Sequence, residues 1–334
     1  MSVVSIGEDL VHYEVLGRGR PVILLHSWLG SWRYWIPTMQ QLKINYKVYA
    51  IDLYGYGDSV KDPRKYSLEH QIRLLEDFVE KMAIPKMALV GHGLGSLIAV
   101  EYARRYEQRV PRMLLASAPL FDTGDLDQRA TILPKVMSRP EPLRTQPGVP
   151  EATVMSMSSA MRAALAEHAS RLAPNAEPAV GTIKKPQQTN NLLFQRLIEE
   201  KKVTSQKLLD MCFSRTEPEY EKLKIDVAKT DDRAIASSVM VFDAGDMLDT
   251  LRRLPMPIVA VHGKNDEVIE APDDKVWHYL TADKEDSMLP VLLEGVRHFP
   301  MLEHERFIRL LMDFLEAPDV SKLEIKERWK RRSH

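Results

Sequence analysis

Short apolar runs alternate with stretches of helical periodicity through the first third of the chain. Residues 21–26, 46–51, 87–90 and 113–116 are almost unbroken apolar runs, the pattern of strands buried on both faces. Between the second and third runs, Ile72, Leu75, Phe78 and Val79 recur at helical spacing. Ser67 and Glu69 stand at the start of that stretch, so a helix is predicted from Ser67 to Met82. This alternation predicts a mostly parallel, twisted sheet with helices on both faces, an α/β fold.

The pattern stops near Phe121. From there to residue 234 the chain is polar and punctuated by Pro134, Pro140, Pro142, Pro147 and Pro150, with amphipathic helices predicted over 151–172, 189–200 and 203–213. Apolar stripes (Met155, Met157, Met161 and Leu165; Leu192, Leu193, Phe194, Leu197 and Ile198) read mainly as the interior of this region. Strand-like sequence resumes at 256–261 and 288–293, and a last helix is predicted from about Glu303 to Glu316. The expected organisation is a core over 1–121 and 235–317, a helical cap inserted over 122–234, and a charged tail over 318–334. Residues 322–334 hold six Lys/Arg against two Glu, with Trp329 among them. They read as a solvated or frayed helical tail.

Composition adds boundaries rather than direction. The chain has 334 residues, 44% of them apolar and 28% charged, with a formal net charge of −1. Nothing in that balance points to nucleic acid as a partner. One cysteine, Cys212, excludes an internal disulfide and fits a reducing compartment. The N-terminus lacks the pattern of a signal peptide, and no window reaches the roughly 18 apolar residues of a membrane span. A cytoplasmic protein without a transmembrane segment is the expectation. No metal-ligand cluster, phosphate loop or nucleotide fingerprint is seen, so no cofactor is implied.

The chemistry turns on residues 87–96, Met-Ala-Leu-Val-Gly-His-Gly-Leu-Gly-Ser. An apolar strand, a sharp glycine turn and an apolar helix in that order have the build of the nucleophile elbow G-x-S-x-G. Gly91 and Gly95 frame the turn, and Gly93 stands at its apex where a serine would be expected. Four further motifs follow predicted strands: His26-Ser-Trp-Leu-Gly30, Asp52-Leu-Tyr-Gly-Tyr-Gly-Asp-Ser59, Gly263-Lys-Asn-Asp266 and Arg297-His-Phe-Pro300. On these five ordered motifs, spanning 4–121 and 235–317, the chain resembles the α/β-hydrolase family, of the cap-containing AB hydrolase-1 type.

The resemblance implies a role for each matching residue. His298 would be the catalytic base, a role suited to an imidazole that titrates near neutral pH. Asp266 would fix its tautomer and stabilise the protonated ring. The backbone N–H groups of Trp28 and Leu94 would form the oxyanion hole, although Ser27 replaces the usual glycine of that loop. His26, Ser27 and His92 are expected at the pocket. Trp28, Trp32, Tyr34 and Trp35 read equally well as pocket lining or loop packing. Asp52, with Gly55, Gly57 and Ser59, reads as structural, holding nearby backbone.

Gly93 leaves the nucleophile position without a side chain, which excludes acyl-enzyme chemistry at that residue. In triad hydrolases, losing the serine costs on the order of 10⁶ in turnover, about 8 kcal/mol of barrier. Neighbouring nucleophiles read as poor replacements. Ser96 is predicted one turn into the helix, facing the sheet. Ser27 is the better placed, and Cys212 belongs to the cap. Three readings follow. In the first, His298 and Asp266 activate water or abstract a proton in the space the serine side chain leaves, acting on a medium-sized apolar ester, lactone or acyl compound. The others are a non-catalytic ligand-binding pseudo-hydrolase and a serine hydrolase inactivated by replacement of Ser with Gly.

Overall fold

The computed structural model describes residues 2–132 and 191–323, apart from 283, 285, 304 and 319. All of them fall in one compact unit, Met1–Pro134 with Asn190–His334. The helix predicted over 151–172, the prolines from 134 to 150 and most of the charged tail lie outside the described residues.

Eight strands form one sheet in the order β1-β2-β4-β3-β5-β6-β7-β8. They are β1 (Ser2–Ile6), β2 (Asp9–Gly17), β3 (Arg20–Leu25), β4 (Tyr46–Ile51), β5 (Ala88–His92), β6 (Met113–Ala116), β7 (Ile258–Gly263) and β8 (Met288–Leu293). The six strands from β3 to β8 run parallel, while β1 and β2 add antiparallel at one edge. The central strands β5, β6 and β7 are buried at every residue, which is why they read as apolar runs without alternation. The β1–β2 hairpin, joined at Gly7 and Glu8, is an element that the apolar runs did not announce.

Helices cover both faces of the sheet. The helices of seven residues or more among the described residues are α1 (Ile36–Leu42), α2 (Leu68–Lys81), α3 (Leu94–Arg105), α4 (Leu126–Ile132), α5 (Ser205–Cys212), α6 (Pro218–Val227), α7 (Asp232–Val239), α8 (Ala244–Arg253), α9 (Asp274–Thr281) and α10 (Glu305–Glu316). The predicted start of α2 holds, since Ser67 Oγ accepts from His70 N at the N-cap. Helix α10 buries Phe307, Leu310, Leu311, Phe314 and Leu315, one stripe at helical spacing. The stretch predicted as a helix over 189–200 forms a single α turn, Leu192–Phe194, that continues into a π turn, Gln195–Glu199. Residue 234, the end of the expected insertion, lies inside α7.

Sheet register sets the site. Leu25 pairs with Gly91, His92 with Ala116, and Ala116 with Val261. The carboxyl ends of β3, β5, β6 and β7 therefore lie side by side, where ligands bind in open parallel sheets.

Candidate active site

Gly93 joins β5 to α3 with φ +50° and ψ −109°. L-residues enter that region only under strain, and a glycine does so freely. The turn is tied down on both sides. Gly93 N donates to Ala116 O and Gly95 N donates to His26 O, each at 3.0 Å. The second bond fastens the elbow to the loop after β3. Close approach explains the flanking glycine: a Cβ on Gly95 would lie 2.3 Å from Leu25 O.

The apex position is not empty, which corrects the expectation of a vacated space. An ideal Cβ built on Gly93 would lie 2.1 Å from Ser27 Oγ and 3.0 Å from Ser27 Cβ. The hydroxyl of Ser27 fills the volume that an elbow side chain would need. It also lies 3.1 Å from His298 Nε2. On the other side of the ring, His298 Nδ1 is 2.9 Å from Asp266 Oδ2. Ser27, His298 and Asp266 thus form one buried hydrogen-bonded line.

Proton positions along that line follow from its chemistry. A carboxylate only accepts, so Nδ1 carries the hydrogen, and in the neutral ring Nε2 then presents a lone pair to the Ser27 hydroxyl. Asp266 stays ionised. Burial pushes its carboxyl up, but the facing His298, its hydrogen bond and the N–H of Ile269 outweigh burial, and the net shift is downward. Its second oxygen accepts from Val268 N and Ile269 N, both at 2.9 Å, which fixes the carboxylate plane.

The loop that carries Ser27 is locked by two histidines and a tyrosine. His26 Nδ1 donates to Ser27 O at 2.7 Å and its Nε2 accepts from Leu53 N at 3.0 Å. Ser27 N donates to the Tyr34 hydroxyl at 3.0 Å. That hydroxyl faces His92 Nδ1 at 3.0 Å, and His92 Nε2 donates to His298 O at 2.7 Å. With Nε2 protonated, Nδ1 must accept, so Tyr34 donates to His92 while accepting from Ser27. Burial holds His92 far below the ordinary imidazole range, and the neighbouring His298 pushes the same way. Burial also lowers His26. His26 and His92 spend both ring nitrogens on the protein itself, so they set backbone geometry. Trp28 and Trp35 are fully buried and Tyr34 nearly so.

Helix α3 begins at Leu94, whose N–H belongs to the first turn and has no acceptor within the helix. Trp28 follows Ser27 directly, and its Nε1 reaches Ser238 Oγ on α7 at 3.1 Å. The other candidates fall away from the base. Ser96 Oγ turns to Ala116 O at 3.3 Å, towards the sheet as predicted. Cys212 is buried, and burial raises its thiol well above the usual range, so a thiolate is suppressed. Ser117 carried no sequence signal. It adopts φ +45° after β6, and its Oγ donates to His298 O at 3.2 Å.

Asp52 is buried and holds backbone. It accepts from Trp32 N (2.8 Å), Asp58 N (2.9 Å) and His12 Nδ1 (2.9 Å). Ligating atoms of His12, Asp52 and Asp58 converge within 4.8 Å, the only such group among the described residues. Asp58 is already paired, with Arg33 at 2.7 Å and Lys229 at 2.5 Å. Beside the base, Arg297 makes a two-pronged pair with Glu217 (2.7 and 3.0 Å) and a third bond to Glu303 (2.9 Å). It ties the His298 loop to the segment ahead of α6.

Among the described residues no helix is long and apolar enough to cross a membrane. In sequence, the chain is 25% identical over 315 residues to pimeloyl-[acyl-carrier protein] methyl ester esterase of Aliivibrio fischeri, covering 91% of this chain and 97% of that protein. A shorter stretch of 112 residues is 32% identical to human epoxide hydrolase 4, covering 32% of this chain and 31% of that one. In structure, it is similar to an esterase of Exiguobacterium antarcticum, with TM-score 0.61, 14% identity, and coverage of 95% and 99% of the two chains. A serine-to-glycine mutant of the N-acyl homoserine lactonase AidH gives TM-score 0.61 at 17% identity, covering 94% and 96%. The family model described as alpha/beta hydrolase fold matches residues 20–305, and the chain belongs to the α/β-hydrolase family.

Proposed function

We propose that this protein hydrolyses a medium-sized, uncharged apolar ester, lactone or acyl compound, with His298 as general base and Asp266 as its orienting carboxylate. The observation that carries the reading is the buried His298 Nδ1–Asp266 Oδ2 contact of 2.9 Å, which orients the ring with Nε2 towards the Ser27 hydroxyl. A pure binding module needs no oriented base. The N–H groups of Trp28 and Leu94 serve as oxyanion donors in this reading, the latter free of any helical acceptor. Similarity over 91% of the chain to methyl ester esterases supports the ester class.

A second reading, a ligand-binding pseudo-hydrolase, draws on Gly93, which leaves the elbow without a nucleophilic side chain. One experiment separates the two. Purified protein is assayed with 4-nitrophenyl butyrate alongside His298→Ala. General-base catalysis is worth about 10² to 10⁴ in rate, so a loss of that size is expected. Equal rates in the two proteins would remove the catalytic reading.

A further inference from the structure

We infer that Ser27 is the nucleophile of this site, delivered from the loop after β3 instead of from the elbow. The inference rests on the proposed hydrolytic reading and names the group that His298 deprotonates.

Three observations converge on Ser27. Its Oγ is 3.1 Å from His298 Nε2, within reach for proton transfer. His298 is backed in turn by Asp266 at 2.9 Å, which completes nucleophile, base and orienting acid. The hydroxyl also occupies the volume of an elbow side chain, 2.1 Å from the Cβ that Gly93 lacks. Position 27, where the family loop has glycine, carries serine, and position 93, where the family has serine, carries glycine. The two departures form one exchange.

Other arrangements are weaker. A water between His298 and Gly93 would compete for the volume that Ser27 Oγ fills. Ser96 bonds to Ala116 O, and Cys212 is buried with its thiol held protonated. The backbone of Ser27 is committed on both sides, through its N–H to Tyr34 and its C=O to His26, so the hydroxyl is presented from a fixed position.

The step balances without any further reagent. Ser27 Oγ bonds to the acyl carbon while its proton passes to His298 Nε2 and the carbonyl π pair moves onto oxygen. Collapse expels the alcohol, which takes that proton, and leaves an acyl-Ser27 ester. A water then gives its proton to His298, attacks the acyl carbon and releases the acid. The proton returns to Ser27, so ester and water become acid and alcohol.

The test combines covalent labelling of the native protein with one variant. A fluorophosphonate probe followed by peptide mass mapping is expected to place the label on Ser27, with labelling lost in His298→Ala. Ser27→Ala is expected to lower 4-nitrophenyl butyrate turnover by about 10³-fold or more. Turnover that depends on His298 but survives in Ser27→Ala, with no label on Ser27, would overturn this assignment and leave the base in place. Turnover that is independent of His298 would instead sink the hydrolytic reading. Labelling of the native protein does not depend on how the variant folds.

Discussion

Placing serine back at the elbow should damage this protein unless Ser27 is removed in the same molecule. The Cβ of Gly93→Ser would stand 2.1 Å from Ser27 Oγ and 3.1 Å from Trp28 Cζ3. The first distance is more than about 1 Å inside ordinary van der Waals contact. Ser27 Oγ is the end of a short side chain and can rotate away, but rotation gives up its bond to His298 Nε2. The substituted residue would also hold φ +50°, a conformation that costs of order 1–3 kcal/mol for a non-glycine residue. Adding roughly 1 kcal/mol for the displaced hydrogen bond gives about 2–4 kcal/mol of destabilisation.

Ser27→Gly alone removes the hydroxyl and leaves His298 Nε2 without its partner, at about 1–2 kcal/mol. The double substitution restores a single hydroxyl beside the base, so it should cost less than the sum of the two by at least about 1 kcal/mol. Urea unfolding of the four proteins at one pH measures this coupling directly. Fluorophosphonate labelling of the double variant should map to position 93. Costs that add within about 0.5 kcal/mol would show that the two positions do not compete, and would refute the steric argument.

Two further outcomes follow from the same geometry. Tyr34→Phe keeps the ring but deprives Ser27 N–H of its acceptor and His92 Nδ1 of its donor; a loss of about 2–4 kcal/mol in urea unfolding is expected, and a change under about 0.5 kcal/mol would dismiss the network. Asp226 on α6 is buried, and burial raises its carboxyl to about 6 against the opposing pull of Ser31 and Arg33. Its contribution to stability is therefore complete below pH 4 and is lost as pH rises to 6, by about 3 kcal/mol at ~1.4 kcal/mol per unit. Asp226→Asn should melt progressively above the native protein between pH 4 and pH 7, and a difference that does not vary with pH would contradict this.

Much of the sheet is legible in the sequence because burial on both faces erases alternation. Tyr46–Ile51, Met113–Ala116 and Met288–Leu293 form over the predicted residues. The β1–β2 hairpin carries no unbroken apolar run because it lies at the sheet edge, with Val3 and Leu10 exposed while Val4, Ile6 and Val11 are buried. Helix α6 is short and buries only Tyr220, Leu223 and Asp226, too thin a stripe to stand out. At the site, motif order brings His298, Asp266 and the elbow to one place. Ser27 is different. Its backbone is set by His26, Leu53 and Tyr34, and its side chain is read only against Gly93, 66 residues away in the chain.

The proposed exchange of Ser27 and Gly93 would leave the rest of the site in place. A hydrolase of this family draws one oxyanion donor from the residue after the elbow nucleophile and the other from the loop after β3. With serine at 93 those donors would be Leu94, next to the nucleophile, and Trp28, from the loop. In the proposed arrangement, with serine at 27 as nucleophile, the same two N–H groups would serve, since Trp28 would follow the nucleophile and Leu94 would come from the other segment. The bond from Gly95 N to His26 O, at 3.0 Å, holds the two segments together in either case. Between positions 27 and 93, a serine and a glycine can trade places while the base, its carboxylate and both donors keep their positions.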